Sequence, residues 1–367
     1  MDAKPPADAR TKHPYFMYEE IKAQPEAVAR SLSLAEERGA DAVQTIARGR
    51  RIFLTGCGTS FHAAQVGAWF FHSFAQGKID ARAVQAYELA TYMPGLRPDD
   101  VLVAVSHSGT TTMTLRAVHH ARRVGADTVL VTGFPDGDGA VAGGTVLPTG
   151  YSEEKSWAHT ASYTAAISSL AALANALAEP AERLDLSPLP DIVREALQLE
   201  EMAHRVAAST ILVERYREPA RIVLVGAGPN VATAQEGALK LQETSYVPAV
   251  AFELEEMLHG PLAAVTSDTL LIILAPAGAS TQRALDLVRA ARALETVPVV
   301  LGGGDAIEAF DGAHRLILSD LPEVLSPIPY VVPLQFFSYF LAVGKDINPD
   351  LLRRDDERYR AARAQYE

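Results

Sequence analysis

The feature that most constrains this chain is that it repeats itself. "RIFLTGCGTS" begins at Arg51 and "RIVLVGAGPN" at Arg221; "AYELATYMPG" begins at Ala86 and "AFELEEMLHG" at Ala251; "DVLVAVSHSGT" begins at Asp100 and "DTLLIILAPAG" at Asp268. The three pairs keep their order at a nearly constant offset, the signature of a duplicated structural unit. In each copy an apolar run ends in Gly-x-Gly and gives way to an Ala-rich helical stretch. A second short strand, a third apolar run, another helix and a fourth strand follow, the last near Thr128 in one copy and near Val297 in the other. Apolar runs without alternation, separated by helices, predict parallel sheets covered on both faces. The expected fold is α/β: two tandem doubly wound, flavodoxin-like parallel-sheet domains over residues 48–185 and 205–345. A helical lead-in over 1–47, a turn-rich linker at 178–191 and a charged tail over 346–367 complete it.

With 367 residues, 48% hydrophobic and 21% charged, the chain has enough apolar material for two cores. Its longest apolar runs read as strand-sized, so no membrane helix is expected, and no signal peptide opens it. The single cysteine, Cys57, excludes an internal disulfide and fits a reducing cytoplasm. A net charge of −12 without a basic stripe argues against a nucleic-acid partner. A small anion remains open, because a few local donors bind one phosphate on an acidic protein.

The stretch "VLVAVSHSGTTTMTL", residues 101–115, runs from a buried-looking strand straight into a cluster of small hydroxyls. Ligands of open parallel sheets bind beyond the carboxyl ends of strands, and a helix N-terminus offers free N–H groups and partial positive charge. Ser106, Ser108 and Thr111 add side-chain donors there, and "GCGTS" supplies Thr59 and Ser60 at the end of the first strand. Two such turns in one domain favour a phosphate; the other reading is that the hydroxyls only cap their helices. A Walker loop is excluded, because no Gly-Lys-Ser/Thr follows Gly109. A dinucleotide fingerprint is excluded too, because its third glycine is replaced by Phe61 in one copy and Val231 in the other.

"CGTS", "SHSGTT", "EGALKLQE" and "LHGPLA" together resemble the sugar isomerase (SIS) domains, with the motif order of the isomerase half of glucosamine-6-phosphate synthase over about residues 48–355. Hexosamine-phosphate deaminases and fructosamine-phosphate deglycases are related groups. The resemblance implies that Thr59, Ser60, Ser106, Ser108 and Thr111 hold a sugar phosphate, with His107 standing where the synthase has glutamine. Glu236, Lys240 and Glu243 share one helix face by their i, i+4, i+7 spacing, which by itself is the usual pattern of a solvent-exposed Glu–Lys stripe. The resemblance instead makes Glu243 the base that moves a proton between C1 and C2 of an open-chain sugar, with Lys240 assisting. It makes His259 the acid/base for ring opening, delivered to a neighbouring subunit, and so implies a homodimer.

The segment 150–163 resembles the stretch that lines the sugar pocket: Glu154 and Thr160 match, whereas Trp157 and His159 depart from the pattern. In the tail, Arg354, or Arg353 with a shift, stands at the family's lysine; arginine keeps the charge but supplies no amine nucleophile. No cysteine precedes Cys57, so a glutamine-splitting cysteine domain is not expected, and Cys57 itself reads as a packer. No His/Cys/Asp/Glu cluster has metal-ligand spacing, so neither metal nor cofactor is expected. The expected function is a phosphosugar isomerase or hexosamine 6-phosphate deaminase, with a fructosamine 6-phosphate deglycase or a non-catalytic phosphosugar-binding regulator as alternatives. The lead-in carries no convincing basic recognition helix, which argues against the regulator.

Overall fold

The computed structural model describes residues 9–366 except 94, 143, 153 and 217–220, with side chains left out also at 212–216. The duplication is realised as two parallel sheets of identical topology. The first contains β1 (Ile52–Thr55), β2 (Ala81–Ala83), β3 (Val101–Val105), β4 (Asp127–Thr132) and β5 (Thr145–Pro148), in the order β2-β1-β3-β4-β5. The second contains β6 (Arg221–Gly226), β7 (Val250–Glu253), β8 (Thr269–Ala275), β9 (Val299–Gly303) and β10 (His314–Leu318), in the order β10-β9-β8-β6-β7. Each is the 2-1-3-4-5 order, which places the switch point beside the first strand of its half.

Each sheet has five strands rather than the four expected. The extra ones, β5 and β10, are edge strands of 4 and 5 residues. β5 ends in Pro148, and β10 exposes His314 and Ile317, so neither shows the continuous apolar run that marks the buried β3.

The Gly-x-Gly turns explain how each first strand feeds its helix. A Cβ on Gly56 would lie 2.6 Å from the Ser60 carbonyl group, and on Gly226 2.2 Å from the Asn230 carbonyl oxygen. Gly58 and Gly228 both adopt φ +54°, a left-handed conformation that favours glycine. The helices launched here, Thr59–Phe74 and Asn230–Thr244, pack against each other across the two halves. Each also packs on the last helix of its own half, Ala161–Leu177 and Pro327–Gly344 respectively. Phe70, Phe71, Leu170, Leu334 and Phe336 join one continuous core, so the halves are welded rather than hinged.

Pro327–Gly344 corrects the expectation that apolar runs stop at strand length. Among the described residues it is the one helix long and apolar enough to cross a membrane. It is buried along almost its whole length by this chain's own core, which accounts for its composition. The linker is also more regular than expected, since a helix, Leu189–Ala196, begins inside it.

Lead-in, pocket segment and tail brace one another. Asp350 of the tail accepts hydrogen bonds from the N–H groups of Phe16 (3.0 Å) and Met17 (2.9 Å), and its carbonyl accepts from Trp157 N–H at 3.0 Å. Glu20 accepts from the N–H groups of Lys155 (2.6 Å) and Ser156 (3.0 Å). Burial, with the nearby Glu154 carboxylate, pushes the Glu20 carboxyl up to about 8.

Candidate active site

The buried ion cluster between the halves is the centre of the site. Lys240 and Glu236 have no exposed side-chain surface, and Glu243 keeps 22% of its own. Lys240 Nζ lies 3.3 Å from Glu236 Oε1 and 2.5 Å from Glu243 Oε2, and donates to Thr59 Oγ1 at 3.1 Å. Thr59 in turn donates to Glu236 Oε1 at 3.1 Å, and His62 Nδ1 lies 2.7 Å from Glu236 Oε2. The solvent-exposed stripe is therefore not what this spacing forms: the face is turned onto the helix of the other half. Burial opposes the charge on Lys240, yet Glu236 and Glu243 hold its pKa above the ordinary lysine range. Burial likewise opposes the charge on Glu236, while Lys240, His62 and Thr59 hold it below the usual carboxylate range. The two carboxylates thus favour the charged form of Lys240.

Glu243 is the member of this cluster that opens outward. It lines a cavity of about 520 Å³ with Tyr246, Leu352, Arg353 and Tyr359. Arg353 lies over the Tyr246 ring at 4.0 Å and the Tyr359 ring at 4.5 Å, and its N–H donates to Tyr246 Oη at 3.1 Å. Leu352 and Arg353 both have left-handed φ, +49° and +56°. Two such non-glycine residues in succession carry backbone strain that the surrounding contacts must hold. Arg353 reaches the cavity of Glu243, whereas Arg354 stacks on Trp157 at 3.7 Å.

The hydroxyl-rich turns do not cap their helices. The N-caps of Thr59–Phe74 and Thr112–Arg123, Gly58 and Thr111, make no side-chain capping bond. Ser106 donates to Thr111 Oγ1 at 3.2 Å, Ser108 and Thr110 hydroxyls lie 2.9 Å apart, and Gly109 at φ +67° turns the loop. The free N–H groups of the helix and the Thr111 hydroxyl hydrogen remain available to an anion, whereas Ser106 is buried with its own hydrogen on Thr111. Thr59 departs from its expected role, because its hydroxyl is committed to Glu236 and Lys240. Ser60 borders a small, partly open cavity with His107 and His159. Cys57 has its thiol pushed up by burial and makes weak contacts with Thr114 and Gln85, which suits a packer.

His259 is not brought to Glu243 within one chain. Its side chain is 69% exposed, with Nε2 2.7 Å from Glu255 Oε1, and it does not line the Glu243 cavity. Two features escaped the sequence reading. His62 lies one turn after Thr59, and its role follows only from the crossing of the two helices. His107, Glu154 and His159 also converge, with one ligand atom from each within 4.8 Å of the others. Linear spacing gave no sign of this set, and the expectation of no metal was drawn without it. Burial pushes the His107 imidazole down to about 4, so it is neutral near pH 7.

Comparison with known proteins follows the same lines. The SIS domain model matches residues 45–176 and again 215–344. A glutamine–fructose-6-phosphate aminotransferase of Pseudomonas aeruginosa is 31% identical over 94% of this chain, which spans 59% of that relative's length. The C-terminal domain of a glucosamine-fructose-6-phosphate aminotransferase from Francisella tularensis superposes with a TM-score of 0.83 at 22% identity, covering 92% of this chain and 98% of that one. A glucosamine-6-phosphate deaminase from Thermotoga maritima superposes at 0.72 with 21% identity, over 92% and 97% of the two chains.

Proposed function

The chain belongs to the SIS domain family, and from that premise we propose that it moves a proton between C1 and C2 of an open-chain 6-phosphosugar, acting as a hexosamine 6-phosphate deaminase. The observation that carries this reading is the cluster Glu236–Lys240–Glu243. One carboxylate, Glu243, faces a cavity large enough for a sugar, while a lysine 2.5 Å away holds it in place. Ser60, Ser106, Ser108 and Thr111, with the helix N-termini, serve the phosphate. His107 lies in the same loop, Trp157 and Arg354 brace the pocket segment, and Arg353 lends positive charge near the sugar.

In the chemistry proposed, Glu243 removes the C2 proton of the open-chain 2-amino aldehyde, giving an enolamine. Returning that proton to C1 gives the C2 ketimine, to which water adds and from which ammonia leaves as fructose 6-phosphate forms. No redox change occurs and no co-reactant beyond water is needed. Glucosamine 6-phosphate in heavy water should release ammonia and yield fructose 6-phosphate labelled at C1. Exchange without ammonia assigns a simple aldose–ketose isomerase; neither ammonia nor exchange from a panel of 6-phosphosugars refutes the reading.

The working unit in this reading is a homodimer with His259 serving the partner's site as ring-opening acid/base. Two observations support it: His259 points to solvent in the single chain, and Val250, Phe252, Met257 and Pro261 line a largely apolar groove of about 690 Å³ nearby. Sedimentation at assay concentration should show a dimer. A fully active monomer excludes a shared site.

A further inference from the structure

Glu154 is the observation that the proposed reaction leaves unused. Its side chain has no exposed surface, and Oε2 is buried without a hydrogen-bond partner. Beyond hydrogen-bond range of its ion-pair partner His159, this oxygen has capacity left for a ligand. Its other oxygen is held in place: Thr160 N–H donates to Oε1 at 2.6 Å. The orphaned oxygen lies 3.7 Å from His159 Nδ1, and the rings of His159 and His107 meet edge to face at 5.1 Å. The two histidines also border a small, partly open cavity of about 10 Å³. That is room for one water-sized sphere, too small for a sugar or a phosphate.

We infer that His107, Glu154 and His159 form a site for one divalent transition-metal ion of the zinc class, with a fourth position open to that cavity. Two imidazoles and one carboxylate suit such ions and not magnesium or calcium, which demand oxygen ligands. Tetrahedral coordination at zinc's usual bond lengths sets ligand atoms about 3.3 Å apart. The Glu154–His159 pair at 3.7 Å is already near this, and the full set lies within 4.8 Å, so an ion would draw the third ligand in. An ion on His159 Nδ1 would displace the Ser162 hydroxyl, now 3.3 Å from that nitrogen, and the 33% exposure of the His159 side chain gives it a way in. Ser60 borders the same cavity, so the ion would sit beneath the hydroxyl loop and add positive charge beside a bound anion. The site stands independently of the reaction proposed above, because it is read without any sugar present.

The test uses the full chain, freed of metal by chelator and titrated with Co²⁺ as a spectroscopic probe. The expected result is one Co²⁺ per chain with a visible tetrahedral absorption band, displaced by Zn²⁺. Both His159→Gln and Glu154→Gln should weaken uptake by more than about 100-fold. His314→Gln, a change at an exposed histidine where β10 begins, should bind like the parent. His159 is partly exposed, so its variant should keep the parent's melting temperature and separate lost ligation from lost folding. Absence of saturable uptake by the parent, or equal uptake by the parent and both ligand variants, overturns the site.

Discussion

Replacing Glu243 by Gln should lower kcat for ammonia release and for C1 deuterium incorporation by about 10²- to 10⁴-fold, the range carried by a positioned general base. KM should change little, because the amide keeps the shape of the carboxylate and the phosphate donors lie on the other half. The fold should survive. Glu243 is the partly exposed member of its cluster, and Lys240 retains Glu236 at 3.3 Å after the change. Three charges that sum to −1 become two that cancel, so no buried charge is left alone. Single-turnover measurement in heavy water separates the proton step from product release. A variant that exchanges deuterium within about tenfold of the parent would place the base elsewhere and end the assignment of Glu243.

What could be read from the letters alone, and what could not, divides along physical lines. The duplicated Gly-x-Gly turns were legible, because a close backbone approach at Gly56 and Gly226 and a left-handed φ at Gly58 and Gly228 admit little but glycine. The central strands were legible because burial on both faces demands unbroken apolar runs. β5 and β10 were not, because β5 ends in a proline and β10 exposes His314 and Ile317, so neither shows an unbroken apolar run. For the site, Glu236, Lys240 and Glu243 could be placed on one helix face, but their burial could not be read from spacing. An i, i+4 pair looks the same on a surface and at a helix–helix crossing. The participation of Thr59 and His62 depends on that crossing. The convergence of His107 with Glu154 and His159 bridges about fifty residues of chain and needs the sheet to bring strand ends together. That Arg353 rather than Arg354 borders the Glu243 cavity goes with two left-handed residues that no residue type announces.

Removing the lysine should have a larger effect on the fold than on any single contact. Lys240→Met leaves Glu236 fully buried and charged, with His62 and Thr59 as its remaining partners. Breaking one side of a buried ion pair costs about 3–5 kcal/mol, because the surviving charge is uncompensated. A fall in melting temperature of roughly 4–7 °C is expected for a chain of this size. Adding Glu236→Gln to that variant should restore about 1 kcal/mol or more, since the double change removes the stranded charge along with its partner. The pH dependence has a definite sign. In the parent, the depressed Glu236 pKa contributes stability above the unfolded carboxyl value of about 4.3, lost as pH falls through the folded value. The raised Lys240 pKa contributes stability below about 10.4, lost as pH rises through its folded value. Between these limits the pair adds no slope. In Lys240→Met, burial acts on Glu236 without the lysine to oppose it, so the carboxyl takes up a proton more readily on folding. The deficit relative to the parent should therefore be smaller at pH 5 than at pH 8, as measured by denaturant unfolding at both. A deficit equal at the two pH values, with no recovery in the double variant, would mean that Glu236 is not an anion in the folded protein and that Lys240 holds the helices by packing alone.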